Sequence, residues 1–248
     1  MSNQQIRPGG FNILPPVVKN LLIINGLFFL ATMALSRYGI DLVELLGLFI
    51  PQSAQFRPHQ LVSYIFMHGS MNHIFFNMFA LWMFGNAIEN YWGGKRFLIY
   101  YMVTGLGAGF IHLAVMEFQL FSVLNELSFE QIETVKSGGW DVLQSGQNYS
   151  DLALAELNLL LNTPTVGASG AVFGLLLAFG MMFPNAQIYL YFLFPIKAKY
   201  FVIGYGLIEL FSGVSNRAGD NVAHFAHLGG MIFGYILIKY WQKKGSRF

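Results

Sequence analysis

The sequence predicts an all-α integral membrane protein with six transmembrane helices. Of its 248 residues, 55% are hydrophobic and only 10% are charged, and the mean hydropathy is +0.51. An average soluble domain carries roughly 25% charged residues, so this chain has too little charge to coat a water-facing surface. Its 27 glycines suit the close approach of membrane helices. Apolar runs long enough to span a bilayer also recur along the chain.

The six predicted spans follow from these runs. They cover about residues 17–36, 61–88, 97–118, 169–183, 198–211 and 222–240. The fourth span ends before Pro184 and is short for a full crossing. We therefore predict a polar N-terminal segment over residues 1–16, a membrane domain over residues 17–242 and a basic tail over residues 243–248.

The basic residues predict the orientation. Lys95 and Arg96 lie between the second and third spans, Lys197 and Lys199 lie between the fourth and fifth, and residues 243–247 add further basic groups after the last span. By the positive-inside rule these segments face the cytoplasm. We expect both termini to be cytoplasmic, the active site to open outward, and the membrane to be a bacterial cytoplasmic (inner) membrane.

Two connections are unusually long. Residues 37–60 contain the amphipathic stretch GIDLVELLGLFI, which predicts a helix lying in the membrane interface. Residues 117–163 contain LSFEQIETV and DLALAELNLLLN, both typical of helices, separated by the turn-rich KSGGWDVLQSGQNYS.

The composition excludes several classes of chemistry. The absence of cysteine excludes disulfides, thiolate metal sites and a cysteine nucleophile. The His-Glu-x-x-His pattern of a zinc protease is absent as well. The net charge is only +2 and the basic residues are scattered, which argues against binding of nucleic acid. We expect no cofactor and no metal, with the lipid bilayer and membrane proteins as partners.

The fourth predicted span opens with Gly167-Ala168-Ser169-Gly170. Glycines on both sides of a serine leave its hydroxyl uncovered, and the start of a helix offers free N–H groups that suit an oxyanion. The same four residues also fit a helix-packing motif in which Ser169 is only a cap. Taken alone, the tetrapeptide favours the packing interpretation.

The last span contains Ala226-His227-Leu228-Gly229-Gly230, followed by Gly234. His227, Gly230 and Gly234 share one helical face, which can press against a neighbouring helix. A histidine on that face could reach a serine or make a packing hydrogen bond, and these residues alone do not separate the two.

The second span carries His73 and Asn77 at helical i, i+4 spacing. Both can donate hydrogen bonds to a developing negative charge, or they can satisfy each other. Glu209 is interpreted as reaching the interface rather than as part of a proton relay. We therefore expect no carboxylate at His227, whose ring would be oriented by packing alone, against Phe173.

With these three motifs in this order, the chain resembles the rhomboid intramembrane serine proteases. The resemblance extends from the first predicted span to the last and implies a rhomboid-like bundle with the nucleophile on its short fourth helix. It implies Ser169 as nucleophile, His227 as general base, and an oxyanion hole made by His73, Asn77 and the Ser169 N–H. The implied reaction is hydrolysis of peptide bonds in or near transmembrane helices, through a Ser–His dyad and an acyl-enzyme.

The chain departs from the family pattern in two places. The first loop reads FRPHQ over residues 56–60, without the family's Trp-Arg pair, and Phe173 stands where the family often has tyrosine. Water is expected to enter past His68, Ser70 and Asn72, under a mobile cap formed by residues 212–221.

Two other functions stay open. The first is a catalytically inactive relative that binds membrane helices. The second is a small transporter, which calls for ionisable residues in corresponding positions of two halves, and the sequence has no such symmetry.

Overall fold

The computed structural model describes residues 12–190, 193–215 and 223–245, and most of them are helical. The first half of the chain contains α1 (Pro16–Ser36), the short α2 (Leu42–Leu46) and α3 (Gln60–Ser63), a 3₁₀ turn (Tyr64–Phe66), α4 (Met71–Trp92) and α5 (Gly94–Leu124). The second half contains α6 (Phe129–Gln144), α7 (Leu152–Asn162), α8 (Ser169–Met182), a hairpin of β1 (Gln187–Leu190) and β2 (Phe194–Lys197), α9 (Ala198–Ser215) and α10 (His224–Lys243).

This architecture agrees with an all-α membrane protein. In the part of the chain that is described, α1 and α5 are long and apolar enough to cross a bilayer. The helices α8, α9 and α10 coincide closely with the last three predicted spans, whereas α4 begins ten residues later than the second predicted span, whose first part forms α3 and the 3₁₀ turn. The count of six crossings stays a prediction. The antiparallel β-hairpin, in which Ile188 is paired with Ile196, was not predicted.

The short helix α8 lies at the centre of the bundle, in contact with α4, α5, α9 and α10. Nine of the 14 residues of α8 are buried, none is fully exposed, and its residues are apolar on all sides. A helix of that kind belongs in the interior of a bundle. Its first residue is Ser169, as predicted from the sequence, so the surrounding helices enclose the serine at one end of the core.

Small residues allow α8, α10 and α5 to approach closely. The backbone of Gly230 on α10 lies against the Gly170 carbonyl on α8, where a methyl group on Gly230 would overlap that carbonyl. One turn further along α8, Gly174 lies against Thr104 of α5, and the Tyr100 hydroxyl donates to the Gly174 carbonyl at 2.8 Å. The glycines of the last span are therefore packed against neighbouring helices, as predicted, with Gly230 against α8 and Gly234 against Tyr100 and Thr104 of α5.

The long connections fold differently from their predicted form. Both helices predicted in residues 117–163 are present, but α6 continues through KSGGWDVLQ to Gln144, and the turn is confined to the residues before α7. A capping box at Ser128 and Gln131 starts α6, and its amphipathic sequence keeps Gly139 and Val135 against α7 and the core. In the first connection, the helix predicted over GIDLVELLGLFI is reduced to the five residues of α2.

Glu89 of α4 fixes the beginning of α1. Its two carboxylate oxygens accept the N–H groups of Val17 at 3.0 Å and Val18 at 2.7 Å. An anion at a helix N-terminus is favoured by the helix dipole and satisfies amides that have no partner within the helix. Glu89 is buried, so this clamp is an interior contact between the two helices.

Candidate active site

The loop that leads into Ser169 is held by the backbone. Leu48 and Thr165 exchange two N–H to carbonyl bonds of 2.9 and 2.8 Å, and the Gly167 N–H donates to the Tyr64 carbonyl at 2.9 Å. Gly167 has a φ of +131°, a conformation that favours glycine. The glycine two residues before the predicted nucleophile therefore makes the turn that brings the chain into α8.

His112 of α5 supports the same loop. Its Nε2 lies 2.8 Å from the Thr165 hydroxyl. The sequence offered no specific role for His112. In the structure it ties the middle of α5 to the strand-like segment before Ser169.

His227 lies in the first turns of α10, buried against α8. Its ring stacks on that of Phe173, with 4.2 Å between the centroids and 6° between the planes. Because Phe173 comes one turn after Ser169, α8 carries both the predicted nucleophile and the surface that orients the predicted base. The expected stacking by Phe173 is confirmed.

The expectation that no carboxylate reaches His227 is wrong. Glu209 of α9 is buried, and its Oε2 lies 2.8 Å from His227 Nδ1. The side chain does not extend to the interface, because α9 packs against α10 and directs Glu209 inward. A carboxylate at Nδ1 fixes the tautomer of an imidazole and stabilises its positive charge. His227 therefore has a carboxylate partner that the sequence did not predict.

The same Glu209 oxygen also lies 2.7 Å from Nδ1 of His224. His224 is one turn before His227 on α10, so the two rings face the same neighbour. One carboxylate oxygen thus serves two imidazoles. The i, i+3 spacing of the histidines was visible in the sequence, but their convergence on Glu209 depends on how α9 packs.

Ser169 and His227 lie on helices in direct contact. A Cβ on Gly170 would be 3.4 Å from the carbonyl oxygen of Ala226, the residue before His227. No hydrogen bond joins Ser169 Oγ to His227 within the described residues. Ser169 is partly exposed, whereas Gly167, Ala168 and Gly170 around it are buried. The serine hydroxyl is therefore the accessible group of the motif.

His73 lies beside Ser169. An ideal Cβ on Gly167 would be 2.8 Å from Cε1 and Nε2 of His73 and 3.5 Å from Ser169 Oγ. The structure therefore brings two of the predicted site residues together around Gly167. Asn77 lies one turn further along α4, buried, with its Nδ2 donating to the His73 carbonyl at 3.0 Å. An amide NH₂ has two donors, so this bond leaves the second N–H for another acceptor.

The beginning of α8 supplies further donors. Within the described part of the chain, the N–H groups of Ser169, Gly170 and Ala171 have no backbone acceptor. The first i to i−4 hydrogen bond of the helix is donated by the Val172 N–H to the Ala168 carbonyl at 3.0 Å. Free N–H groups at a helix N-terminus suit an anion. They begin at the residue that carries the candidate nucleophile.

The predicted water entrance stays a prediction, and the structure shows how exposed its residues are. Ser70 and Asn72 are exposed, but His68 is only 1% exposed, with its ring edge-on to that of His73 at 5.0 Å. An open cavity of about 580 Å³ lies between the end of α1 and the start of α4, with Asp41, His68 and Ser70 in its lining. Of the predicted cap, residues 212–215 form the end of α9, and residues 216–221 lie outside the described residues.

Sequence reasoning missed the residue that organises the first loop. Gln60 is fully buried, accepts the Arg57 N–H at 3.0 Å and donates to the Gln55 carbonyl at 3.0 Å. The Arg57 guanidinium donates to the carbonyls of Ala54 and Phe56 at 2.9 and 2.7 Å. The loop is thus closed by an arginine and a buried amide, without a tryptophan.

The architecture and the three motifs agree with a comparison of the chain with known protein families. Residues 20–247 match the model of a family described as eukaryotic integral membrane protein (DUF1751). The chain belongs to this family. The match covers all the helices of the bundle except the first few residues of α1.

Curated relatives connect this family member with the rhomboids. RHOMBOID-like protein 12, mitochondrial, of Arabidopsis thaliana is 28% identical over 177 residues, which cover 70% of this chain and 44% of the relative. Rhomboid protein 1, mitochondrial, of Saccharomyces cerevisiae is 28% identical over 196 residues, or 75% of this chain and 44% of the relative. An uncharacterized mitochondrial rhomboid protein of Schizosaccharomyces pombe is 24% identical over 208 residues, or 74% and 52%.

These relatives confirm the resemblance to the rhomboid family. The chain spans about half the length of the curated relatives it matches. That it is an integral membrane protein is supported by the family description. A bacterial inner membrane receives no support, because the family is described as eukaryotic and the relatives are named as mitochondrial.

Proposed function

We propose that this rhomboid-family protein is an intramembrane serine endopeptidase. Ser169 is the nucleophile, His227 is the general base, and Glu209 holds His227. The observation that carries the proposal is the position of His227 between the ring of Phe173 and the carboxylate of Glu209, on a helix whose Gly230 packs against the start of α8. Helix packing alone does not require a histidine whose ring is stacked on an aromatic side chain and whose Nδ1 is bonded to a buried carboxylate.

The proposed reaction follows from these positions. With Glu209 accepting a hydrogen bond from the Nδ1–H of His227, the lone pair of Nε2 is available to take the proton of Ser169. The serine oxygen attacks the scissile carbonyl and forms an acyl-enzyme, while His227 passes its proton to the leaving amine. Water then attacks the ester, with the same histidine as base, and restores Ser169.

The negative oxygen of each tetrahedral intermediate would be stabilised by three kinds of donor. They are the free N–H groups at the start of α8, His73 and the second N–H of Asn77. Donors fixed in place before the reaction are worth more inside a buried site than in water. The contact of His73 with Gly167 supports its place in this set.

The substrate we propose is a transmembrane helix whose end unwinds to present an extended peptide bond. The starts of α4, α8 and α10 and the end of α9 carry the site residues, so the site lies at one end of the bundle. Lys95 and Arg96 lie in the first turn of α5, just after the other end of α4, and Lys197 directly precedes α9. By the positive-inside rule we propose that the site opens on the opposite face of the membrane. From the names of the relatives, that membrane is proposed to be mitochondrial.

A cleavage assay tests the proposal. The purified chain is incubated with a panel of single-span substrates beside Ser169→Ala and His227→Ala, each checked for monodispersity and helical content. We expect wild-type cleavage of at least one substrate and none by either variant. Cleavage by Ser169→Ala at the wild-type rate would exclude Ser169 as the nucleophile.

The second candidate is a catalytically inactive rhomboid-like protein that binds membrane helices. It is favoured by the absence, within the described residues, of a hydrogen bond between Ser169 and His227. Catalytic hydrogen bonds are often long until substrate binds, so this observation does not exclude the enzyme. Labelling by a fluorophosphonate separates the two: an active serine is labelled in the wild type and not in Ser169→Ala, whereas an inactive protein is labelled in neither.

A further inference from the structure

Three potential metal ligands, one of them the proposed general base, converge between α9 and α10. They are Oε2 of Glu209, Nδ1 of His224 and Nδ1 of His227, and all three atoms lie within 4.8 Å of one another. The side chains of Glu209, His224 and His227 are only 5%, 13% and 10% exposed. We infer that Glu209, His224 and His227 form a site for a zinc-like divalent cation, and that the bound cation blocks the proposed protease.

The ligand chemistry fits zinc. Two imidazole nitrogens and one carboxylate oxygen are a set that holds zinc with a fourth position open for water. The two Nδ1 atoms lie 2.7 and 2.8 Å from the same oxygen, which is hydrogen-bond spacing. A tetrahedral zinc with ordinary bond lengths separates its ligand atoms by about 3.4 Å. Binding of the cation therefore requires the Glu209 oxygen to move outward by about 0.6 Å, and the two Nδ1 atoms, which lie within 4.8 Å of each other, to settle at the same spacing.

The ligands are already oriented. The ring of His227 is fixed by Phe173 at 4.2 Å, and His224 shares its helix at i, i−3 spacing, so both nitrogens are presented on one face. Glu209 comes from the neighbouring helix α9. Because the two helices are already packed together, the ligand side chains lose little conformational entropy when the cation binds. The sequence predicted no metal because the motif of zinc proteases is absent, and here the ligands are assembled by helix packing.

The inhibition follows from the tautomer of His227, and this step rests on the proposed function. A neutral imidazole that binds a metal through Nδ1 carries its remaining proton on Nε2. Nε2 then has no lone pair to accept the proton of Ser169. Glu209 is also withdrawn from Nδ1, because its oxygen binds the cation. Metal binding and general-base catalysis by His227 are thus mutually exclusive.

The test measures metal binding directly, independently of cleavage. Zinc binding to the full chain in detergent is measured by competition with a chromophoric chelator, and the ligands are counted by X-ray absorption at the zinc edge. We expect one zinc per chain with two imidazole ligands. His224→Ala and Glu209→Gln should each weaken zinc binding by at least about tenfold, the loss that even an outer-shell partner produces. His59→Ala removes an exposed histidine far from the cluster and should bind as the wild type does.

Each outcome bears on the inference. Wild-type affinity in both His224→Ala and Glu209→Gln, or fewer than two imidazoles at the zinc edge, overturns the site. If a variant does not fold, the ligand count on the wild type still decides. Zinc should inhibit cleavage, and a chelator should restore it. Undiminished cleavage at saturating zinc would contradict the claim that metal binding prevents His227 from acting as a base. If the chain binds zinc at this site but cleaves nothing, the site stands and the proposed function fails.

Discussion

Nδ1 of His227 lies 2.8 Å from Oε2 of Glu209, a buried carboxylate on the neighbouring helix. This relationship gives the candidate base the same support that the aspartate gives the histidine of a soluble serine protease. The orientation of the His227 ring on α10 therefore depends on the position of α9, because a shift of α9 would move the carboxylate away from the imidazole.

Glu209→Gln should therefore lower the turnover number while leaving the fold intact. Glutamine keeps the shape but removes the charge and can present an N–H to Nδ1, which favours the wrong tautomer. In a soluble triad the corresponding change costs about 10⁴-fold, and we expect a loss between about tenfold and that value. Glu156→Gln, at an exposed position on α7, is the matched control.

The pH profile of Glu209→Asp distinguishes positioning from a purely structural role. If Glu209 acts on His227, aspartate should restore part of the turnover number, and the pH dependence of kcat should differ between the aspartate and glutamine variants. Equal activity of the wild type and Glu209→Gln would show that packing alone orients His227.

Phe173 should be replaceable by a flat ring but not by an aliphatic side chain. The stacked geometry, 4.2 Å between centroids and 6° between planes, requires a ring. We expect Phe173→Tyr to retain activity and Phe173→Leu to lower kcat, since a stacked pair of this kind contributes about 0.5–1.5 kcal/mol. Cleavage rates of the two variants at saturating substrate provide the comparison, and equal rates would contradict the orienting role.

Asn77→Ala should lower the cleavage rate by about tenfold or more, because one oxyanion donor is lost. Its Nδ2 also donates to the His73 carbonyl, so thermal stability is measured in parallel. A reduced rate at unchanged stability supports the oxyanion role. A reduced stability at an unchanged rate per folded molecule would assign Asn77 to packing.

Gly230→Ala should destabilise the bundle. The added methyl group would overlap the Gly170 carbonyl, a backbone atom that cannot turn aside. Overpacking of this kind typically costs about 1–3 kcal/mol, which should appear as a lower free energy of unfolding in detergent and as lost activity. Gly26→Ala on α1 is the control, because a Cβ there meets nothing within 4 Å. Equal stability of the two variants would contradict the close contact of α8 and α10.

Much of the bundle follows from local rules. The beginning of α8 at Ser169 was predictable because glycine and serine mark a helix start, and the packing face of α10 was predictable because Gly230 and Gly234 repeat every four residues. The stacking of Phe173 on His227 follows once α8 and α10 are neighbours.

The role of Glu209 could not be predicted in the same way. A single glutamate in an apolar helix has no periodic signal, and whether it reaches water or a histidine depends on the rotation of α9 against α10. The same holds for Gln60, which closes the first loop through contacts with a segment of irregular backbone. In both cases a lone polar residue finds its partner only in the assembled bundle.

The clamp by Glu89 has a consequence for the order of assembly. The first amides of α1 are satisfied by a side chain 72 residues later in the chain. In a bilayer an amide without a partner costs several kcal/mol, so α1 reaches its lowest free energy only when α4 has packed beside it. The burial of the N-terminal end of α1 is thus conditional on the docking of a helix that lies far away in the sequence.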